Sequence, residues 1–93
     1  MSDWIVCRRP GLTEAEFGDE LFALHIEQGT CYGFNMTATE VWKLIDQPRR
    51  VSELRDVLGQ KFDVGPEECE RDLRELLREL EKDGLVSIDA PAS

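Results

Sequence analysis

Cysteine, histidine and positive charge are all scarce in this chain. Three cysteines, Cys7, Cys31 and Cys69, make an odd number at wide spacing, and His25 is the only histidine. No CxxC pair occurs, so a four-ligand zinc site lacks its usual donors. The odd count argues against a disulfide framework and fits a reducing cytosol. No apolar run approaches the roughly 18 residues that span a bilayer. The segment from Met1 to Arg9 has no apolar stretch of signal-peptide length. A soluble, cytoplasmic protein is expected. No GxSxG elbow, phosphate-cradling glycine loop or metal-spaced carboxylate set is present. His25 adjoins no nucleophile motif, and nothing basic neighbours Cys31 to activate its thiol. Neither catalysis nor a cofactor is expected, with a Cys31-dependent carrier or enzyme as an alternative.

Lysine and arginine total 11 against 20 aspartates and glutamates, a net charge of −9. That balance repels a phosphate backbone, so nucleic-acid binding would need a segregated basic patch. An acidic winged-helix regulator remains a remote alternative. At 93 residues and 10.6 kDa the chain suits one small domain, residues 1–93, with a frayed tail at 89–93. Such a chain buries only about 60–65% of its unfolded surface, too little for a large lidded cavity. Hydrophobic residues make up 41%, too many for a disordered tail.

What is present changes period once. Trp4 to Cys7 is a short strand-like run, ended by Pro10-Gly11. Thr13 to Phe17 reads as loop or one helical turn. Glu20 to Glu27 alternates with period two. Phe22, Leu24 and Ile26 share one face; Leu21, Ala23 and His25 share a smaller, wetter one. Gln28-Gly29-Thr30 supplies a turn, and Cys31 to Phe34 resumes the alternation. From Asn35 the rhythm is helical. Thr37 to Glu40 reads as a capping box for a helix bearing Ala38, Val41, Trp42 and Ile45. Ser52 is placed to cap a shorter second helix that Gly59 closes. Pro66 opens a long third helix running to Asp83, with Gly84 after it. The expected fold is α+β and winged-helix-like: a three-stranded antiparallel sheet followed by three helices, then a short extended tail from Leu85 to Ile88.

At about 100° per residue, Cys69, Leu73, Leu76, Leu77 and Leu80 form one stripe of the third helix, the expected core face. Arg71, Arg74, Arg78 and Lys82 line up opposite, beside an acidic shoulder of Glu68, Asp72, Glu75, Glu79 and Asp83. A solvated face tied by pairs such as Glu70–Arg74 and Glu75–Arg78 accounts for these charges. So does a surface for a peptide. If Cys31–Phe34 is a sheet edge, its unpaired backbone is a template for an incoming strand. Gly33 either lets a second backbone approach or marks a bulge.

Three stretches carry a family resemblance. Gly29-Thr-Cys-Tyr-Gly-Phe-Asn35, followed by Ala38-Thr-Glu-Val-Trp42-Lys-Leu-Ile45, resembles the hairpin-to-helix signature of the PqqD family. Pro48-Arg-Arg-Val-Ser-Glu-Leu54 resembles its lead-in to the second helix. Phe62-Asp-Val64 with Asp72-Leu73, Leu76-Leu77, Leu80 and Gly84-Leu-Val86 resembles its ending. The similarity covers residues 20–88. It implies a recognition element for ribosomally made precursor peptides, with a winged-helix-like fold that does not bind DNA. The leader of a precursor would add as a strand beside Cys31, Tyr32, Gly33 and Phe34. The third helix would form the other wall, through Leu76 with Asp72, Glu75 and Glu79 or through Arg71 with Arg78. The implied partner is a maturation enzyme. Trp42 is closer to stand-alone proteins of lasso-peptide pathways, which implies a leader protease. A peptide chaperone for a radical SAM enzyme, in quinone-cofactor or other peptide biosynthesis, is the alternative. The exposed edge is compatible with a monomer or a strand-swapped dimer.

Overall fold

Two small sheets, rather than one, frame the helices. The structure, a computed structural model, describes residues 3–89. The first sheet has the order β5-β1-β6, from Arg49–Arg50, Ile5–Arg8 and Val86–Asp89. Its antiparallel register joins the ends of the chain, with Ile5 opposite Asp89 and Arg8 opposite Val86. The second sheet, β2-β3-β4, is a meander of Leu12–Phe17, Glu20–His25 and Thr30–Phe34. The fold is α+β with three helices, α1 (Met36–Leu44), α2 (Val51–Phe62) and α3 (Pro66–Lys82). The expected single sheet of Trp4–Cys7 with the later hairpin does not form. The first strand leaves to pair with the C-terminal segment, and Leu12–Phe17 takes its place.

Leu12–Phe17 is therefore a strand and not a loop or helical turn. Its two-residue connection, Gly18-Asp19, has Gly18 at φ +65°, which suits a tight hairpin. The faces of β3 are also reversed. Leu21 and Ala23 are buried, while Phe22 is half-buried and Ile26 lies exposed beyond the strand. The reason is tertiary. Trp42 of α1 stacks on Phe34 at 5.2 Å, and Phe34 sits opposite Leu21, so the smaller side chains face the body.

Helix caps differ from expectation where a stronger partner exists. Asn35, not Thr37, caps α1, its side chain accepting from the Ala38 N–H at 2.8 Å. Glu40 instead pairs with Lys61 at 2.8 Å. Ser52 does not cap α2. Its N–H and hydroxyl donate to the two carboxylate oxygens of Asp3, at 3.1 and 2.8 Å. A carboxylate distant in sequence thus serves the first turn of α2. Gly59 lies inside α2, which closes at Asp63 in the left-handed region at φ +53°. The α3 limits follow expectation, and Gly84 takes φ +79°. The extended tail is β6, and its proposed frayed end beyond Asp89 lies outside the described residues.

One core draws on both sheets and all three helices. Val6, Val41, Val51, Leu77 and Val86 are fully buried at its centre, with Trp42 and Leu54 beside them. Among the described residues no helix is long and apolar enough to cross a membrane.

Candidate functional site: an open strand edge facing α3

β4 pairs with β3 along one side only, and among the described residues no strand pairs with its other side. Alternate residues of an antiparallel strand direct their N–H and C=O groups to opposite sides, so half of the β4 backbone groups face that free edge. The strand is held from behind. Phe34 stacks on Trp42, whose indole N–H donates to Glu14 at 2.7 Å. Arg8 bridges the same carboxylate and the Trp42 carbonyl, with its guanidinium 4.4 Å from the Trp42 ring centroid. Arg8 and Glu14 thereby tie β1 and β2 to the helix that supports β4. Sequence reasoning missed both, because their partners lie 28 to 34 residues away.

Between the free edge and α3 runs a groove of about 330 Å³. Its strand wall is Cys31 to Asn35, and its helix wall is Leu76, Glu79, Leu80 and Asp83. Cys31 is exposed, while Tyr32 and Phe34 are half-buried and pack against the core. The lining contains two charged residues, Glu79 and Asp83, and both are anionic. Asn35 and Leu76 are shared with an adjoining, largely apolar pocket of about 240 Å³. That pocket is closed by Leu58, Phe62, Val64, Cys69 and Leu73, with Asp72 at its rim. Burial and the nearby Asp72 carboxylate push the Cys69 thiol up, so it stays protonated and weakly nucleophilic.

The sequence-selected residues therefore divide. Cys31, Tyr32, Gly33, Phe34, Leu76 and Glu79 meet along the groove, and Asp72 borders the adjoining pocket. Arg71, Glu75 and Arg78 do not line it. They lie on the opposite shoulder of α3, in a shallow depression around Trp4 that shares only Glu79 with the groove. There Arg74 and Arg78 stand over the Trp4 ring at 4.3 and 4.9 Å. The Glu70–Arg74 pair forms at 3.5 Å, whereas Arg78 turns to the indole rather than to Glu75. Leu76 leaves the core stripe; it is half-buried where Cys69, Leu73, Leu77 and Leu80 are buried. Asp83 and the apolar Phe62 and Val64 joined the site only through the fold.

The register removes one of the two readings of Gly33, and packing adds a reason of its own for the glycine. The register through Phe22 and Gly33 is unbroken, so there is no bulge. A Cβ at Gly33 would come within 3.2 Å of the Phe22 ring. The glycine makes room for that ring on the outer face of the sheet. Among the described residues no group of three or more His, Cys, Asp or Glu side chains could hold a metal ion.

An open strand edge walled by a long amphipathic helix defines a class of small peptide-docking folds. Residues 20–86 match the family described as coenzyme PQQ synthesis protein D (PqqD), and the chain belongs to that family. Its fold is similar to that of TbiB1 in complex with the TbiA(beta) leader peptide. There the TM-score is 0.79 at 28% identity, covering 94% of this chain and 99% of that one. It is also similar to a lasso peptide synthetase B1 complexed with its leader peptide, with TM-score 0.76, 23% identity and coverage of 88% and 96%. A third match is the PqqD truncation of Methylobacterium extorquens PqqCD, described as a functional, stand-alone recognition element for ribosomally synthesized and post-translationally modified peptides. Its TM-score is 0.74 at 22% identity, with coverage of 89% and 88%. No curated protein matches the chain.

Proposed function

We propose that this chain is a non-catalytic recognition element that binds the leader region of a ribosomally made precursor peptide. The leader adds as a further strand on β4, beside α3, and is delivered to a maturation enzyme. A leader protease of a lasso-peptide pathway is the partner this reading favours. The observation that carries it is the free edge of β4 facing a groove with an apolar pocket at one end. Main-chain hydrogen bonds along that edge supply affinity without demanding a sequence, and the pocket supplies an anchor point for one guest side chain. The family membership and the leader complexes of two similar structures support the same reading. A DNA-binding role is disfavoured, because the groove lining is anionic and two of the α3 arginines stand over Trp4.

The test is a titration of a labelled leader peptide, taken from any short precursor gene that neighbours this one. Gly33→Pro places a ring and a missing N–H in the edge strand and is expected to weaken binding at least about tenfold, or ~1.4 kcal/mol. A thermal melt checks that the variant folds. A scan of single N-methyl groups along the leader reads the same thing from the guest side. Losses at every second position indicate a strand ladder. Equal affinity for both proteins, with a flat N-methyl scan, would reject strand addition.

A further inference from the structure

We infer that the groove selects its guest by charge, taking a segment with lysine or arginine at alternate positions on the side that faces α3. This rests on the strand-addition reading above, and goes beyond it by assigning chemistry to the guest. In an added strand, successive side chains point to opposite faces of the sheet. One set joins Phe22 and Gly33 on the outer face. The other set turns inward over Leu76 and Leu80 and meets Glu79 and Asp83. No cation lines the groove to neutralise those two carboxylates, and among the described residues neither forms an ion pair.

Spacing favours a pair of cations. Glu79 lies in the last turn of α3 and Asp83 is its C-cap, about 6 Å farther along the axis. Two strand residues cover roughly 6.6–6.8 Å. A basic-x-basic triplet therefore puts one cation opposite each carboxylate, while a single basic residue reaches one. Long aliphatic stems suit the site, because they can lie on Leu76 and Leu80 while the charged head reaches the rim. An anionic guest residue at either inward position would face an unanswered carboxylate and be rejected. Among the described residues, Glu79 also borders the Trp4 depression that holds Arg71, Arg74 and Arg78, without an ion pair to Arg71 or Arg78, and Asp83 lies outside that depression.

The experiment uses the full chain and a displayed library of random ten-residue peptides. Selected peptides are synthesised and scanned with single N-methyl groups to identify those that add as strands. Those binders are expected to be enriched in Lys or Arg at positions of one parity. Their affinity for a Glu79→Gln, Asp83→Asn double variant should fall roughly three- to tenfold, as two exposed ion pairs allow. The loss should shrink as salt is raised from about 0.05 to about 0.5 M. Glu81→Gln removes one carboxylate of α3 that does not line the groove, and should change affinity less than about twofold. Strand-adding binders without basic enrichment, unaffected by the double variant, overturn charge selection and leave strand addition standing. A library yielding no binder with an alternating N-methyl pattern overturns both.

Discussion

The two shoulders of α3 share one helix and one stretch of sequence, yet they end in opposite states. On the Trp4 side, the arginines are answered from within the chain. Arg74 meets Glu70 at 3.5 Å, and Arg74 and Arg78 lie against the buried indole. Arginine suits that role, being a planar and weakly hydrated cation that stacks on aromatic faces. On the groove side, Glu79 and Asp83 meet no cation in the lining, and the strand opposite them lacks a neighbour. An amphipathic helix necessarily has two borders between its buried stripe and its solvated face. Whichever border is covered by another element belongs to folding. Here Trp4, carried to α3 by the β1–β6 pairing, covers one border and leaves the other uncovered.

The largest effect should come from uncovering the closed shoulder. Trp4 is 8% exposed, and Trp4→Ala is expected to cost about 3–5 kcal/mol of stability in urea unfolding, as buried Trp truncations do. Arg78→Ala removes only a stacked cation, and should cost about 0.5–1 kcal/mol. If Trp4→Ala leaves the unfolding midpoint unchanged, that shoulder is not part of the core and the contrast fails.

A smaller effect, of a different kind, should follow from altering the open shoulder. Leu76 lines both the groove and the apolar pocket and is only half-buried. Leu76→Arg withdraws apolar surface from the guest and sets a cation beside Glu79. Leader affinity should fall about tenfold, or ~1.4 kcal/mol. Stability should change by less than about 1 kcal/mol, because arginine is a good helix former and its stem can cover the same surface. Loss of folding without loss of affinity in the folded fraction would return Leu76 to the core.

How much of this could be read in advance depended on the range of the interaction. The α3 stripe of Cys69, Leu73, Leu77 and Leu80 was legible because a helix records its burial every three or four residues. The β3–β4 hairpin was legible for the same local reason, and Gly18-Asp19 carried a signal for the β2–β3 hairpin that the charged run Thr13–Glu16 obscured. The β1–β6 pairing was not legible, since Ile5 and Asp89 meet from opposite ends of the chain. Alternation along β3 showed two faces but not which one the body would cover. That was decided by Trp42, whose stacking on Phe34 puts Leu21 and Ala23 inside. The groove-facing shoulder of α3 was undecided likewise, because the covering residue, Trp4, lies about seventy positions earlier. Alternation and amphipathicity tell how many faces an element has; tertiary partners choose among them.

The smallest expected effect sharpens the closed side through pH. Asp3 lies partly shielded near that shoulder. Burial alone would push its carboxyl up. The bonds from the Ser52 hydroxyl and N–H, with the nearby charges of Arg50 and Arg74, outweigh burial and hold it below the ordinary aspartate value of 3.8. A carboxyl depressed on folding stabilises the native state above its unfolded pKa, and that contribution is lost as pH falls through the folded pKa. Wild type should therefore exceed Asp3→Asn in stability at pH 6–7 by about 0.5–1 kcal/mol, scaled for partial exposure. The gap should close as pH drops below 3.8. Taking the difference between the two proteins at each pH cancels the titration of the remaining carboxylates, which both share. Urea unfolding from pH 7 down to the acid transition reads that difference. A gap that is constant over the whole range would mean that the Asp3–Ser52 link acts through shape rather than charge, and that the closed shoulder owes nothing to the ionised carboxylate.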